Sequence, residues 1–307
     1  MYHFIINPHS RTGKARFLWE QLKEELKHRN VEYKEYFTER PGHATTFAKQ
    51  ICEENQGIKN IIIVGGDGTA NEVINGIVSY KEVVLGYIPT GSSNDLARGL
   101  QLPKTPQKAL EHILNPKRFQ SIDHGIITYL DNNTSHKFAV SCGIGYDASV
   151  CKEALRSKAK KTLNKIGLGK LTYLYIGIKQ IFQNVPTDAE IIINGKKSIT
   201  VKNVIFIASM IHKYEGGGLL MAPTAKSNDR KLTVCIVSNI SKLKILFLMP
   251  TLFFGKHTLS KAVQLFDCDT LEIKTKNPSI VHTDGEFGDY HKHMRLSCTK
   301  EQIRMIV

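Results

Sequence analysis

The first 125 residues alternate between short apolar runs and longer segments whose apolar positions follow helical spacing. The apolar runs have the length and the branched side chains of buried strands, and they lie at residues 2–6, 61–64 and 83–89. Helical spacing marks residues 15–28, 43–54 and 69–78. Because strands and helices alternate, we predict a parallel sheet covered on both faces, and therefore an α/β domain over residues 1–125.

From about residue 126 the chain changes to alternation of apolar and polar residues with a period of two. Segments 198–210, 231–238 and 263–275 show this pattern, which is typical of half-buried strands. Asn194 and Gly195 separate two such runs and predict a type I′ hairpin turn. We expect a β-rich, sandwich-type domain over residues 126–293, interrupted by helical stretches near 148–182 and 241–255. The final residues, 294–307, are expected to return to the first domain.

A glycine-rich corner, GGDGTANE at residues 65–72, follows the apolar run IIIV directly. In an open parallel sheet, ligands bind beyond the carboxyl ends of the strands. Gly65 and Gly66 expose bare backbone that can direct N–H groups at an anion. Thr69 is expected to cap the next helix, whose positive end adds to the field. Asp67 beside a phosphate suits a bridging Mg²⁺, so we predict a polyphosphate–magnesium site rather than a mere tight turn.

The segment GGDGTANEVINGI resembles the signature of the diacylglycerol kinase catalytic domain family, which includes sphingosine kinases and soluble bacterial lipid kinases. NAD kinases and phosphofructokinases are more distant relatives with a similar corner, and the resemblance implies their fold for the first domain. Further blocks follow in the family's order along almost the whole chain, and they read IINPHSRTGKA, FTER, GYIPTGSSNDLARGL, SIDHG, SCGIGYDASV, GGGLLMAPTAKSNDRKLTV and HTDGE. One departure is NDRK at residues 228–231, where bacterial relatives usually carry two aspartates and a glycine.

The resemblance implies an ATP-dependent lipid kinase that uses Mg²⁺, and it assigns roles to residues of the first domain. The residues expected to hold the nucleotide and its phosphates are Asn7, Thr38, Gly65, Gly66, Asp67, Gly68, Thr69, Asn71 and Ser92. Asp67, Asp95 and Asp123 are expected to hold the catalytic Mg²⁺, in part through water. A cation is needed there because adjacent carboxylates disfavour one another's ionisation.

The resemblance also implies two features of the second domain. Glu286, in HTDGE, would be the general base that accepts the proton of the acceptor alcohol. A second, structural Mg²⁺ would be bound by the backbone carbonyls of Lys226 and Lys231 and by the carboxylate of Asp229, with water completing its shell. The alternative for this segment is a plain Asn-Asp turn.

The composition of the chain indicates which classes of partner the protein binds. The chain has 307 residues and a formal net charge of +14, and a basic protein attracts polyanions such as nucleotides, nucleic acid or an anionic membrane. Basic residues crowd positions 155–170, but nucleic-acid-binding signatures are missing, so we favour the membrane surface. No apolar run approaches the roughly 20 residues of a membrane span. We see no secretory signal and expect a cytoplasmic protein, peripheral to the inner face of the membrane.

Several alternatives stay open. Diacylglycerol is the expected acceptor, while phosphatidylglycerol, a sphingoid base or NAD would make a different kinase, and a noncatalytic nucleotide or lipid sensor is a rival of another class. A homodimer is left open. The spacing of the histidines fits no common zinc ligand set, so we expect surface or hydrogen-bonded side chains at His212, His257, His282, His291 and His293.

Overall fold

The computed structural model describes residues 1–54, 56–156 and 169–307, which form two compact units. The first unit contains residues 1–124 together with 300–307, and the second contains residues 125–299. The chain therefore re-enters the first unit at Lys300 rather than at Met294. The reason is that residues 294–298 remain paired with neighbouring strands of the second unit.

The first unit is built on a mostly parallel sheet. Its strands, among the described residues, are β1 (Tyr2–Ile6), β2 (Tyr33–Phe37), β3 (Lys59–Gly65), β4 (Val83–Pro89), β5 (Phe119–Ile122) and the C-terminal β15 (Ile303–Ile306). They lie in the order β2-β1-β3-β4-β15-β5, and β5 runs antiparallel to β15. All other pairings in this sheet are parallel, as the alternation of strands and helices predicts.

Helices connect these strands and cover the sheet. They are α1 (Lys14–His28), α2 (His43–Glu54), α3 (Asp67–Gly76), α4 (Asp95–Gly99) and α5 (Pro106–Leu114), with 3₁₀ turns at Ser10–Gly13 and Tyr80–Glu82. The apolar face of α1 packs Trp19 and Leu22 against Phe4 and Val64 of the strands. Burying side chains of this size is worth about 1.5–3 kcal/mol each, which anchors α1 to the sheet.

The second unit is an antiparallel β structure. Its strands are β6 (Gly125–Tyr129), β7 (Thr134–Phe138), β8 (Ser141–Gly145), β9 (Thr187–Ile193), β10 (Lys197–Met210), β11 (Leu232–Ser238), β12 (Val263–Cys268), β13 (Thr270–Thr283) and β14 (Glu286–Cys298). They run in the order β12-β11-β10-β8-β13-β14-β6-β7, while β9 pairs with β10 and β13. Asn194 and Gly195 join β9 to β10 with φ angles of 53° and 64°, as a type I′ turn requires.

Helical segments interrupt the β structure where the pattern predicts them. They are α6 (Tyr146–Arg156), α7 (Gly169–Gln183) and α8 (Lys242–Leu248), followed by 3₁₀ turns at Met249–Phe254 and Lys256–Leu259. Most of the basic segment 155–170 lies outside the described residues. Within the part of the chain that the structure describes, no helix is both long enough and apolar enough to cross a bilayer.

Candidate active site

A polar residue or a glycine follows the carboxyl end of each of four neighbouring strands in the first unit. Asn7 follows β1, Thr38 follows β2, Gly66 follows β3 and Thr90 follows β4. The backbone N–H groups of Asn7, Thr38 and Thr90 each donate to an adjacent strand, at 2.9, 2.9 and 2.7 Å. These bonds extend the ladder by one residue and hold the loop entrances at one edge of the sheet. The structure thus brings predicted nucleotide-binding residues from three separate sequence blocks to that edge.

The glycines of the corner are required by close packing as well as by their bare backbone. A Cβ on Gly65 would lie 2.6 Å from the Cβ and the Oγ1 of Thr69. A Cβ on Gly91 would lie 2.5 Å from the Cα of Gly66. Two loops, one after β3 and one after β4, therefore touch backbone to backbone. This contact draws the N-terminus of α3 and the GSSND loop together.

Helix α3 begins at Asp67, and its N-cap is Gly66 in an extended conformation without a side-chain cap. The expectation that Thr69 caps this helix is wrong, because the helix starts two residues before Thr69. The Thr69 hydroxyl instead accepts a hydrogen bond from Nδ2 of Asn7 at 3.1 Å. The first turn of any helix carries N–H groups that no intrahelical carbonyl accepts, and Gly68 lies in that turn. Such a terminus is a ready site for an anion.

Asp67 connects the two loops through its carboxylate. Its Oδ2 accepts the backbone N–H of Asp95 at 3.0 Å, and its Oδ1 accepts that of Leu96 at 3.2 Å. A carboxylate offers about four lone-pair sites, so one that accepts two N–H groups can also bind a hydrated cation. The donor set of Asp67 therefore fits Mg²⁺, which prefers one or two carboxylates plus water and phosphate oxygens.

Asn94 shapes the loop that Asp67 holds. It adopts the left-handed conformation with φ of 51°, which Asn tolerates better than most residues. Its Oδ1 accepts the N–H of Gly91 at 2.9 Å, and its Nδ2 donates to the carbonyl of Gly91 at 3.0 Å. Beneath it, burial and the nearby charges of Asp67 and Asp95 raise the pKa of Tyr87 well above its ordinary value. Asn94 was not among the residues predicted from the sequence, although the ND pair in GSSND was its signal.

The remaining predicted residues of this unit lie at different depths. Asp95 and Asp123 are buried, and Nε2 of Gln302 donates to Oδ1 of Asp123 at 2.7 Å. Asn71 and Thr38 are buried as well, and Ser92 is exposed in the loop after β4.

The three aspartates do not gather around one point. Among the described residues, Asp67, Asp95 and Asp123 do not bring ligand atoms within 4.8 Å of one another. Direct coordination of one ion by all three is therefore not formed. The prediction that some of them act through water stays a prediction.

Glu286 lies in the second unit, at the start of β14. It pairs with Thr283 across a two-residue turn, Asp284-Gly285, whose φ angles are 50° and 86°. The carboxylate of Asp284 accepts three consecutive backbone N–H groups, those of residues 139–141, at 2.7, 2.8 and 2.9 Å. Asp284 thus fastens the turn to the segment that leads into β8. Glu286 is exposed, on a firmly held hairpin.

The segment predicted to hold a second Mg²⁺ forms a tight turn. The Oδ1 of Asp229 accepts the backbone N–H of Lys231 at 3.2 Å, which is an Asx-type turn. Arg230 adopts φ of 61°, and a non-glycine residue in this left-handed conformation costs roughly 1–2 kcal/mol. The structure thus brings Asp229 and Lys231 together and leaves metal binding by Lys226, Asp229 and Lys231 as a prediction.

The histidines have two kinds of environment. His257 contacts the carbonyl of Met221 at 3.0 Å, and His293 contacts Glu272 at 2.8 Å, in line with the expectation of hydrogen-bonded side chains. Burial lowers the pKa of His212 to about 4. His282 differs, because it lies against two carboxylates in a buried cluster that the sequence did not predict.

A parallel sheet with a glycine-rich corner at its carboxyl edge, followed by an antiparallel β unit, defines the NAD kinase-like fold class. Comparison with known proteins agrees. The family model described as the diacylglycerol kinase catalytic domain matches residues 1–127. The model described as the YegS C-terminal NAD kinase beta sandwich-like domain matches residues 140–305. The chain therefore belongs to the family that combines these two domains, and the predicted resemblance and fold class are confirmed.

Individual relatives cover nearly the whole chain. The candidate lipid kinase YtlR of Bacillus subtilis (strain 168) is 29% identical over 291 residues, which are 93% of this chain and 93% of YtlR. A candidate diacylglycerol kinase from Bacillus anthracis str. Sterne superimposes with a TM-score of 0.75 at 19% identity, covering 99% of this chain and 94% of that one. An NAD kinase from Archaeoglobus fulgidus, solved with ATP, superimposes with a TM-score of 0.53 at 11% identity, covering 100% and 94%. These structures share the fold, and family membership supports a general lipid kinase role.

Proposed function

We propose that the protein transfers the γ-phosphoryl group of ATP to the hydroxyl group of a membrane lipid, with diacylglycerol as the acceptor and phosphatidic acid as the product. The observation that carries the proposal is the joining of the two loops at the carboxyl edge of the parallel sheet by Asp67, beside the N-terminus of α3. Phosphoryl transfer requires chiefly positioning and charge neutralisation. At this edge of the sheet, the joined loops would provide the positioning and the positive end of α3 would provide part of the charge neutralisation.

The nucleotide phosphates would lie on the N-terminal turn of α3. The N–H groups of Gly68 and Thr69 and the positive end of the helix dipole suit the β- and γ-phosphates. Asn7 holds the Thr69 hydroxyl in place, so the turn is preorganised before ATP binds. Thr38, directly after β2, and Ser92, in the loop after β4, would contact the rest of the nucleotide, as family membership implies.

Magnesium would be held by Asp67, with Asp95 and Asp123 acting through water. When bound, Mg²⁺ neutralises charge that develops on the transferred group. The chain's own contribution is to fix the Asp67 carboxylate, and the two backbone N–H groups of the α4 terminus do so. A second Mg²⁺ on the segment 226–231 would be structural.

Glu286 would accept the proton of the lipid hydroxyl. A glutamate carboxylate, which is a weak base, suits a late proton transfer, after the bond to the leaving group has loosened. The base must be held in a fixed position for this step. The three backbone hydrogen bonds that the Asp284 carboxylate accepts make the hairpin turn rigid.

An exposed apolar segment supports action at a membrane surface. Five of the seventeen exposed large apolar side chains that the structure describes lie within residues 243–259, and they are Leu243, Phe247, Phe253, Phe254 and Leu259. Phe247 is 80% exposed and Leu259 is 82% exposed. A concentration of exposed apolar side chains of this kind marks an interaction surface. We name residues 243–259 the apolar segment.

The charges around the apolar segment favour an anionic partner. No Asp or Glu occurs between residues 230 and 266, whereas the lysines that flank or lie within the apolar segment are Lys242, Lys244, Lys256 and Lys261. Aromatic and aliphatic side chains with lysines around them suit the interface of an anionic bilayer. Peripheral association at the inner face of the membrane is therefore part of the proposal.

The test is a phosphorylation assay with ATP, Mg²⁺ and one acceptor at a time. The lipid acceptors, presented in mixed micelles, are diacylglycerol, phosphatidylglycerol and a sphingoid base, and NAD is tested in solution because the fold also resembles an NAD kinase. We expect transfer to diacylglycerol to exceed transfer to the others. Preferred transfer to another lipid would mean that this lipid, and not diacylglycerol, is the substrate. Transfer to NAD alone would mean that the protein is an NAD kinase and not a lipid kinase. Binding of nucleotide or liposomes without any transfer would favour the noncatalytic sensor.

A further inference from the structure

A buried polar cluster lies in the second unit and has no part in the mechanism above. It joins Asp147 at the start of α6, Glu215 in the loop after β10 and His282 near the end of β13. The Nε2 atom of His282 is 3.4 Å from Oδ2 of Asp147 and 3.2 Å from Oε1 of Glu215. His282 is only 1% exposed. Buried ionisable groups are expensive unless they are paired, so this cluster needs a physical explanation.

The surrounding structure is built to accommodate the cluster. Gly143 of β8 pairs with His282 of β13, and a Cβ at Gly143 would overlap both Oδ2 of Asp147 and Nε2 of His282. The Ser141 hydroxyl donates to Oε1 of Glu215 at 2.6 Å, and the N–H of residue 148 donates to Oδ1 of Asp147 at 2.8 Å. Each carboxylate is thus oriented towards the ring by a second partner.

A metal ion is the first explanation to consider. One ligand atom from each of Asp147, Glu215 and His282 lies within 4.8 Å of the others. However, the backbone N–H of Gly285 donates to Nδ1 of His282 at 3.2 Å. A histidine that binds metal through Nε2 donates a hydrogen bond from Nδ1, and here Nδ1 faces a donor. The geometry therefore requires a lone pair on Nδ1 and a proton on Nε2, which opposes metal binding.

The protonation of the three groups is coupled. Burial alone would lower the pKa of His282, but Cys151, Asp147 and Glu215 raise that pKa well above its ordinary value. Burial also raises the pKa of Asp147. A proton on Nδ1 would point at the Gly285 N–H, so the geometry, rather than the raised pKa, decides that the ring carries its proton on Nε2 alone. The Nε2–H group lies between two carboxylate oxygens, and neither contact has full hydrogen-bond geometry.

We propose that His282 is a positioning residue for Glu286. Asp147 and Glu215 flank the ring at Nε2, at 3.4 and 3.2 Å, and Nδ1 accepts the N–H of Gly285, which immediately precedes Glu286. The Asp284–Gly285 turn is then fastened at both of its residues, by the Asp284 carboxylate on one side and by His282 on the other. This inference rests on the proposed role of Glu286, and the experiments below separate the two.

Two substitutions separate the two functions of the imidazole ring, which are contact with the carboxylates through Nε2 and acceptance of the Gly285 N–H by Nδ1. In His282→Asn, the amide oxygen can occupy the place of Nδ1 and accept the Gly285 N–H, while contact with the carboxylates is lost. In His282→Gln, the amide nitrogen can occupy the place of Nε2 and donate to the carboxylates, while the acceptor for Gly285 is lost. The positioning role predicts different kinetics for the two variants, whereas a merely structural role predicts parallel losses.

We expect His282→Gln to lower kcat by about 10- to 100-fold, because a misplaced catalytic group costs up to that much, with KM for ATP unchanged. His282→Asn should retain most of kcat. The matched control is His293→Gln, which breaks a histidine–carboxylate contact of 2.8 Å on the same hairpin and should leave kcat unchanged. Wild-type kcat in His282→Gln, or equal losses in both His282 variants, would overturn the positioning role.

A second measurement uses the wild-type protein and no turnover. Nitrogen-15 NMR of labelled histidine distinguishes an Nε2–H ring from an Nδ1–H ring and from imidazolium. We expect the Nε2–H form for His282, and an Nδ1–H ring, an imidazolium or a stoichiometric metal found by elemental analysis would overturn the inference. If Glu286→Gln keeps full turnover, the proposed role of Glu286 fails and the positioning role fails with it. If Glu286→Gln is inactive and the ring is Nδ1–H, the positioning role alone fails.

Discussion

The carboxylate of Asp67, in the first turn of α3, accepts the backbone N–H of Asp95, in the first turn of α4, at 3.0 Å. Asp67 therefore acts as a structural link between two loops, and it is also the proposed magnesium ligand. The two roles can be separated by comparing activity with stability.

Asp67→Asn tests these two roles. Its amide oxygen can still accept one N–H, so we expect a loss of about 1 kcal/mol in the free energy of unfolding. Loss of a metal ligand should lower kcat by at least about 100-fold, which corresponds to about 2.7 kcal/mol of transition-state stabilisation. The measurements are lipid phosphorylation and urea unfolding of the same preparation.

The matched control for Asp67→Asn is Asp131→Asn. Asp131 also accepts two backbone N–H groups, from Lys292 at 2.8 Å and His293 at 3.3 Å. Its substitution should produce a comparable loss of stability without a loss of kcat. Equal effects of the two substitutions on kcat would contradict the magnesium role of Asp67.

Glu286→Gln tests the proposed base. General-base catalysis typically contributes 10²- to 10⁴-fold, so we expect kcat to fall by about that factor while the melting temperature changes little, because Glu286 is exposed. Glu190→Gln, an exposed glutamate of β9, is the control and should keep wild-type kcat. Turnover of Glu286→Gln within a few-fold of wild type would exclude it as the base.

Gly91→Ala tests the backbone contact between the loops after β3 and β4. The new Cβ would lie 2.5 Å from the Cα of Gly66, which is backbone and cannot move aside cheaply. We expect overpacking to cost about 1–3 kcal/mol of stability and KM for ATP to rise, because the α3 terminus shifts. At Gly177, a Cβ would meet only the ends of the Tyr146 and Met249 side chains, at 3.3 and 3.4 Å. Gly177→Ala should therefore leave KM for ATP unchanged, and the same result for Gly91→Ala would contradict the tight contact.

The double variant Phe253→Ser, Phe254→Ser tests the apolar segment. Without these two exposed rings, less apolar surface enters the bilayer, so we expect weaker flotation with vesicles that contain phosphatidylglycerol. Phe17→Ser is the control, because Phe17 is 68% exposed but lies in the first unit, and it should bind like wild type. Unchanged flotation of the double variant would assign the membrane contact to another surface.

Glu35 gives a prediction about pH. Burial alone would raise its pKa, but hydrogen bonds from Lys23 at 2.7 Å and from Nε1 of Trp19 at 2.8 Å lower it. A carboxylate whose pKa is depressed in the folded state stabilises the protein above its unfolded pKa of about 4.3, and this stability is lost as pH falls through the folded value.

Glu35→Gln should therefore destabilise the protein by about 1 kcal/mol at neutral pH. The difference from wild type should shrink as the pH is lowered below about 4. Urea unfolding across this range measures the effect. A difference that is constant with pH would mean that the charge of Glu35 contributes nothing.

Much of the fold could be predicted because its signals are local. The apolar runs at residues 2–6 and 83–89 have the same bounds as β1 and β4. Strand β15 was not predicted as a member of this sheet. It has four residues, and it lies between β4 and β5 through pairings with residues far away in the sequence, which no local pattern reveals.

Some features of the candidate site could likewise be predicted from local sequence signals, and others could not. The glycine-rich corner is contiguous in sequence, so its residue types alone indicate an anion site. The cap at Thr69 was predicted wrongly because a threonine in a first helical turn has the same local signal as an N-cap. The cluster of Asp147, Glu215 and His282 could not be predicted, because the β-sheet brings together three residues that are distant in sequence.

The most direct test of the central claim is a crystal structure of the protein with a non-hydrolysable ATP analogue and Mg²⁺. We expect the β- and γ-phosphates to lie against the N–H groups of Gly68 and Thr69, with Mg²⁺ joined to Asp67 directly or through one water. A nucleotide bound elsewhere, with no phosphate at the start of α3, would contradict it.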